Sequence, residues 1–184
     1  MIKRIYFTLL LSLLSVFSVA QNDREHMKFM GIPLGGPIHE FVNTLCEQKG
    51  FEKGGISTIT ETGETVYTLK GNFWKFENCD ISVVESLNKT AYKVRVSIFD
   101  LSIYKYKINI EDLIENLTIK YGTYEIDHDP GYENDEFLIW RTNGGTIKYK
   151  ENYIPQILNA LYIEYVDCDI KEYLNQKKQE IEDL

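Results

Sequence analysis

Two stretches decide the fold: Pro37-Ile-His-Glu-Phe-Val-Asn-Thr-Leu-Cys-Glu-Gln-Lys-Gly50 and Asn109-Ile-Glu-Asp-Leu-Ile-Glu-Asn-Leu-Thr-Ile-Lys-Tyr-Gly122. Displaced by 72 positions, Ile38 falls on Ile110, Phe41 on Leu113, Val42 on Ile114, Leu45 on Leu117 and Gly50 on Gly122. Spacings of three and four set each group along one side of a helix. Pro37 suits the first helical position, and the glycines suit left-handed caps. Asn109 is placed to cap the second helix, with Glu111 and Asp112 at the positive end of its dipole.

After each helix the period falls to two. In Tyr92-Lys-Val-Arg-Val-Ser-Ile98, Tyr92, Val94, Val96 and Ile98 face one way and Lys93, Arg95 and Ser97 the other. That alternation marks an antiparallel strand covered on one side only. Strands are expected near 55–61, 64–70, 73–85 and 91–99, then near 123–128, 136–142, 145–151 and 159–167. Thr142-Asn-Gly-Gly145 is a hairpin signal. Asp169 to Leu184 reads as a third helix, capped by Asp169, with Ile170, Tyr173, Leu174 and Ile181 on its apolar side. The expected class is α+β. Two tandem α-β4 repeats, about residues 29–104 and 105–184, would form one curved antiparallel sheet with helices on one face, plus a C-terminal helix.

Residues 1–20 read as a signal peptide. Lys3 and Arg4 precede an apolar run from Ile5 to Phe17, and Ser18-Val-Ala20 offers small residues for cleavage. The run is shorter than the ~20 residues a membrane span needs. The expectation is therefore export to the periplasm or outside the cell, without membrane insertion once the signal is removed. Residues 21–28 are polar and expected as a disordered leader, ahead of a single domain at 29–184. Removal of Lys3 and Arg4 leaves 18 basic residues against 28 acidic ones, a net charge of about −10. A field of that sign disfavours nucleic acid as a partner.

No catalytic constellation stands out. The three histidines, His26, His39 and His128, form no zinc spacing with one another or with Cys46, Cys79 and Cys168. A Cys79–His128 nucleophile pair would have to be assembled from distant segments. Asp127, Asp129, Glu133 and Asp135 could supply oxygen ligands to calcium. However, Tyr132 stands where such a loop needs glycine, and Leu138 where it needs glutamate. There is no phosphate-cradling glycine loop and no Gly-x-Ser-x-Gly elbow. The expectation is a protein that is not an enzyme, with no cofactor and no metal. Cys79 opens one strand and Cys168 closes another, so a disulfide between them stays open as an alternative.

The helix and strand order resembles the tandem α-β4 architecture of the β-lactamase inhibitor protein and of PepSY-like domains. Phe29-Met-Gly-Ile-Pro-Leu34, Lys49-Gly-Phe51, Leu69-Lys-Gly71 with Phe73, Asn78-Cys79 and Lys120-Tyr-Gly122 carry a closer likeness. They resemble phrases of a family of small exported proteins from Gram-negative gut bacteria that brings no established activity. The resemblance implies a fold and leaves inhibition as an analogy.

Aromatics offer the remaining clue. The chain has 13 Tyr, 9 Phe and 2 Trp. Trp74, Trp140, Tyr67, Tyr92, Tyr149 and Tyr162 all fall on or beside expected strands. Each has two readings. Aromatics favour strands, so core packing accounts for them. Alternatively, an open sheet face bearing Trp and Tyr would anchor a partner. On the second reading the chain is an exported binding module for a protein or peptide. Binding of a carbohydrate or cell-envelope ligand through the same face is the alternative, and a hydrolase with an unrecognised site stands third.

Overall fold

The computed structural model describes residues 25–59, 64–86, 88–99, 103–128, 136–154 and 158–168. A short hairpin, β1 (Lys28–Phe29) and β2 (Ile32–Pro33), leads into helix α1 (Ile38–Lys49). Strands β3 (Glu52–Thr58), β4 (Thr65–Phe73), β5 (Phe76–Glu85) and β6 (Ala91–Phe99) follow. Then come α2 (Ile103–Tyr121), β7 (Glu125–His128), β8 (Glu136–Thr142), β9 (Gly145–Ile154) and β10 (Leu158–Asp167). The fold is α+β: β3-β4-β5-β6-β10-β9-β8-β7 form one eight-stranded antiparallel sheet. The expected signal peptide, the calcium-loop positions 129–135 and the expected helix Asp169–Leu184 lie outside the described residues.

Both helices form where their stripes find a core. Ile38, Phe41, Val42 and Leu45 are buried, as are Leu113 and Leu117, while Ile110 and Ile114 pack against the same cluster. Gly50 ends α1 at φ 72°, donating its N–H to the carbonyl of Leu45. Pro37 differs from expectation. Its ψ of 130° is extended, so it precedes the first turn and Ile38 is the first helical residue. The second helix also starts earlier than expected, at Ile103, leaving Asn109 inside it and not at its cap. No glycine or proline separates Ile103 from Asn109, and an interior asparagine costs under about 1 kcal/mol.

Register carries the core across the sheet. Tyr67, Val83, Val94, Tyr165, Ile147 and Trp140 lie in one row across six strands. The next row on the same face is Leu69, Ile81, Val96, Ile163, Tyr149 and Leu138. These rows enter the same cluster as the helix stripes. The opposite face is polar, with Thr68, Ser82, Arg95, Glu164 and Lys148 aligned. There Arg95 Nε donates to Glu164 at 2.6 Å.

Tyr92 breaks the alternation expected for β6. The pairing shifts between Val84 and Glu85, which gives β6 one extra residue. A bulge of this kind re-aims a side chain. Tyr92 therefore leaves Val94, Val96 and Ile98 and packs with Val66 and Val84 in a separate cluster. Its hydroxyl donates to Glu64.

The leader is tied down from Glu25 onward. Met27 is 3% exposed, and Asp167 at the end of β10 is 1% exposed. Asp167 Oδ2 accepts the Met27 N–H at 3.2 Å and lies 3.1 Å from His26 Nδ1. Met27 returns its carbonyl to the Leu34 N–H at 2.7 Å. The β8–β9 hairpin, which turns at Asn143-Gly144, closes against this strap. At Gly145, φ is 145° and any Cβ would lie 2.0 Å from the Val166 carbonyl oxygen.

No bridge joins Cys79 to Cys168. Asp80 is level with Ser97 and Tyr162, which places Cys79 about 20 Å along the strand direction from Cys168. Bridging needs less than about 7 Å between Cα atoms.

Candidate binding groove

The six aromatic positions do not share one surface. Trp140 is 0% exposed. It lies in the helix-facing row and donates its indole N–H to Thr118 Oγ1 on α2 at 3.3 Å. Tyr149 is buried in the neighbouring row with its hydroxyl on Glu151. Tyr67 belongs to the same side and meets the ring of His39 edge-on, 5.6 Å between centroids. Tyr92 and Tyr162 are on the opposite side, Tyr92 buried and Tyr162 edge-on to the exposed Phe99. Burial and neighbouring carboxylates push the Tyr92 and Tyr149 hydroxyls well above their ordinary range. Of the six, only Trp74 is both strongly exposed and set at the edge of a groove.

Trp74 is 47% exposed in the β4–β5 turn, where Phe73 pairs with Phe76. Its φ is 56°, a left-handed backbone that a bulky side chain seldom adopts. Neighbouring contacts hold it there. Phe73 and Phe76 are buried on either side, and Lys75 pairs with Asp112 on α2. The β1–β2 turn on the other side of the groove carries two such residues, with Met30 at φ 51° and Gly31 at 88°. Two consecutive left-handed residues are what a tight two-residue hairpin needs.

Between these turns and α2 lies a groove of about 520 Å³. Phe73, Leu113, Leu117 and Tyr165 form its floor, Trp74, Met30 and Ile119 its lips, and Lys28 and Lys120 one rim. Ile119 is 76% exposed. An aromatic trio supports the floor. Phe29 stacks on Phe73 at 5.7 Å, and Tyr165 meets Phe29 edge-on at 5.2 Å. Burial, with Tyr121 nearby, pushes the Tyr165 hydroxyl far up, so the floor stays uncharged. A second groove of about 460 Å³ adjoins the first and shares Lys28, Lys120 and Tyr121. It runs past His26 to Thr142, Asn143 and Gly144.

The arrangement offers contact area and little chemistry. Cys79 is buried on β5, and burial pushes its thiol up, so it stays protonated. His128 is on β7, five strand positions from β5, or about 24 Å. The nucleophile pair considered from sequence is not brought together. Among the described residues, no cluster of three or more His, Cys, Asp or Glu is placed to hold a metal ion, and no helix is long and apolar enough to cross a membrane.

Sequence reasoning passed over Ile119, Met30 and the two rim lysines. One signal was available for Ile119, which falls off the stripe set by Leu113 and Leu117 and therefore has no core to enter. Lys28 and Lys120 carry no such mark, because they come from separate elements, β1 and α2, that meet only at the shared grooves. No protein-family model, curated protein or solved structure matches the chain.

Proposed function

We propose that the chain is an exported, non-enzymatic module that binds a protein or peptide segment in the groove beside Trp74. The carrying observation is an exposed tryptophan, fixed in a left-handed turn, on the lip of an apolar groove with a lysine rim. Tryptophan anchors of this kind concentrate binding energy, and a rigid lip loses little freedom on binding. The groove favours a peptide over a sugar. Its floor presents Phe73, Leu113 and Leu117, where a sugar would call for several hydrogen-bonding groups.

On this reading the two helix–four-strand halves are copies of one unit. They share a curved sheet, as the resemblance to the β-lactamase inhibitor protein and PepSY-like architecture implies. Export, followed by action in the periplasm or outside the cell, belongs to the same proposal. Selection of displayed peptides on the immobilised chain tests it. The expected yield is sequences with apolar anchors and acidic flanks, lost with Trp74→Ala and with Ile119→Asp. Equal recovery on all three proteins overturns the groove as the binding surface.

A further inference from the structure

We infer that the two adjoining grooves form one bipartite site for an acidic peptide. An apolar side chain lies beside Trp74, a carboxylate sits at the Lys28–Lys120 junction, and the main chain continues into the second groove. This rests on the peptide reading above and adds where the peptide's charge sits and what lies beyond it.

The junction is the distinctive part. Lys28, Lys120 and Tyr121 line both grooves, so a chain passing from one to the other crosses two ammonium groups. Among the described residues, no carboxylate lines the first groove and Glu25 alone lines the second. This positive neck stands out in a chain with 28 acidic and 20 basic residues. Lys28 is 3.7 Å from Glu25, with the two side chains 52% and 70% exposed, a pair that water screens strongly. Lys120 lies over the Tyr121 ring, 4.8 Å from its centroid, which steadies the ammonium without cancelling its charge.

Charge fixes the class of anion. α2 ends at Tyr121, and the carbonyl end of a helix repels negative charge. A single carboxylate gains from both lysines there. A phosphate dianion would meet stronger repulsion, with no arginine fork to grip it. The walls fix the rest of the ligand. Phe73, Leu113 and Leu117 make the first groove apolar. The second offers the exposed Asn143 amide, the Gly144 backbone and the partly exposed His26, groups that suit a peptide main chain better than a lipid tail. That wall is also held in advance. Asp167 Oδ2 holds Met27 and His26, and a Cβ at Gly144 would lie 2.7 Å from the Glu25 carbonyl oxygen. Walls already in place lose little freedom on binding.

Titration of labelled, end-capped synthetic peptides with the full chain, followed by fluorescence anisotropy, tests this. Each peptide joins Leu-Phe, one variable residue and a Gly-Ser-Asn-Gly tail, in that order or its reverse. In the tighter-binding order, glutamate at the variable position should exceed glutamine by about tenfold in affinity, the worth of one charge-assisted contact. Lys28→Gln plus Lys120→Gln brings the two peptides to parity. Lys70→Gln plus Lys148→Gln, the same loss of charge on the opposite sheet face, leaves the preference intact. Deleting the tail weakens binding about threefold, and Asn143→Phe, which fills the second groove, removes that difference. Trp74-dependent binding without a glutamate preference overturns the inference and leaves the groove reading standing. So does a preference for phosphoserine over glutamate, a glutamate preference that survives both neck substitutions, or a tail without effect. Binding of no peptide, with or without Trp74-dependent binding to phosphatidylglycerol vesicles, overturns both readings.

Discussion

The two tryptophans occupy opposite environments within the same small fold. Trp140 is sealed beneath α2, with its indole N–H on Thr118 and Tyr124 edge-on at 5.4 Å. Trp74 stands on a turn with nearly half its surface in water, and its left-handed backbone is held by neighbours. Register decides Trp140: paired with Ile147, it joins the row that faces the helices. Turn geometry decides Trp74, because a residue at a hairpin tip belongs to neither face. An aromatic side chain in a strand therefore serves the core by default. One at a tight turn is displayed, and its exposure calls for an explanation.

The contrast can be broken by mutation. Trp140→Ala should destabilise the chain by about 3–5 kcal/mol, the range for emptying a buried aromatic site; denaturant unfolding measures it, and a loss under about 1 kcal/mol refutes the core assignment. Leu117→Ala, at the boundary between core and groove floor, should cost about 2–5 kcal/mol in the same assay and also weaken peptide capture. Trp140→Phe keeps most of the volume but removes the bond to Thr118, and should cost about 1–2 kcal/mol. Trp74→Ala should change stability by about 0.5 kcal/mol or less while abolishing peptide capture. Capture that survives Trp74→Ala and fails with Trp140→Ala at matched folding would reverse the roles assigned to the two side chains.

Much of the fold was legible because its signals are local. The stripe Ile38, Phe41, Val42, Leu45 and its counterpart at Ile110 to Leu117 mark both helices, and all eight expected strands start and end within three residues of the observed ones. What was not legible depends on pairing. The bulge that turns Tyr92 away from Val94 exists only in the register between β5 and β6. The burial of Met27 depends on a carboxylate 140 residues away. The groove was hidden for the same reason, since Met30, Trp74 and Ile119 come from three separate elements and no motif links them. The sheet face expected to carry Trp74 and Trp140 holds neither. Alternation tells which residues share a side, but it does not tell which side the helices will cover.

An open sheet has two ends, and each end of this one is poorly suited to recruit another strand. β3 carries paired glycines at Gly54 and Gly55, and its ladder slips between Lys53 and Ile56. β7 is four residues long and bears Glu125, Asp127 and His128. A kinked border and a short charged one make poor templates for fibre growth. Concentrated solutions of the protein should therefore stay clear on storage, even though every central strand is rich in the residues that build amyloid.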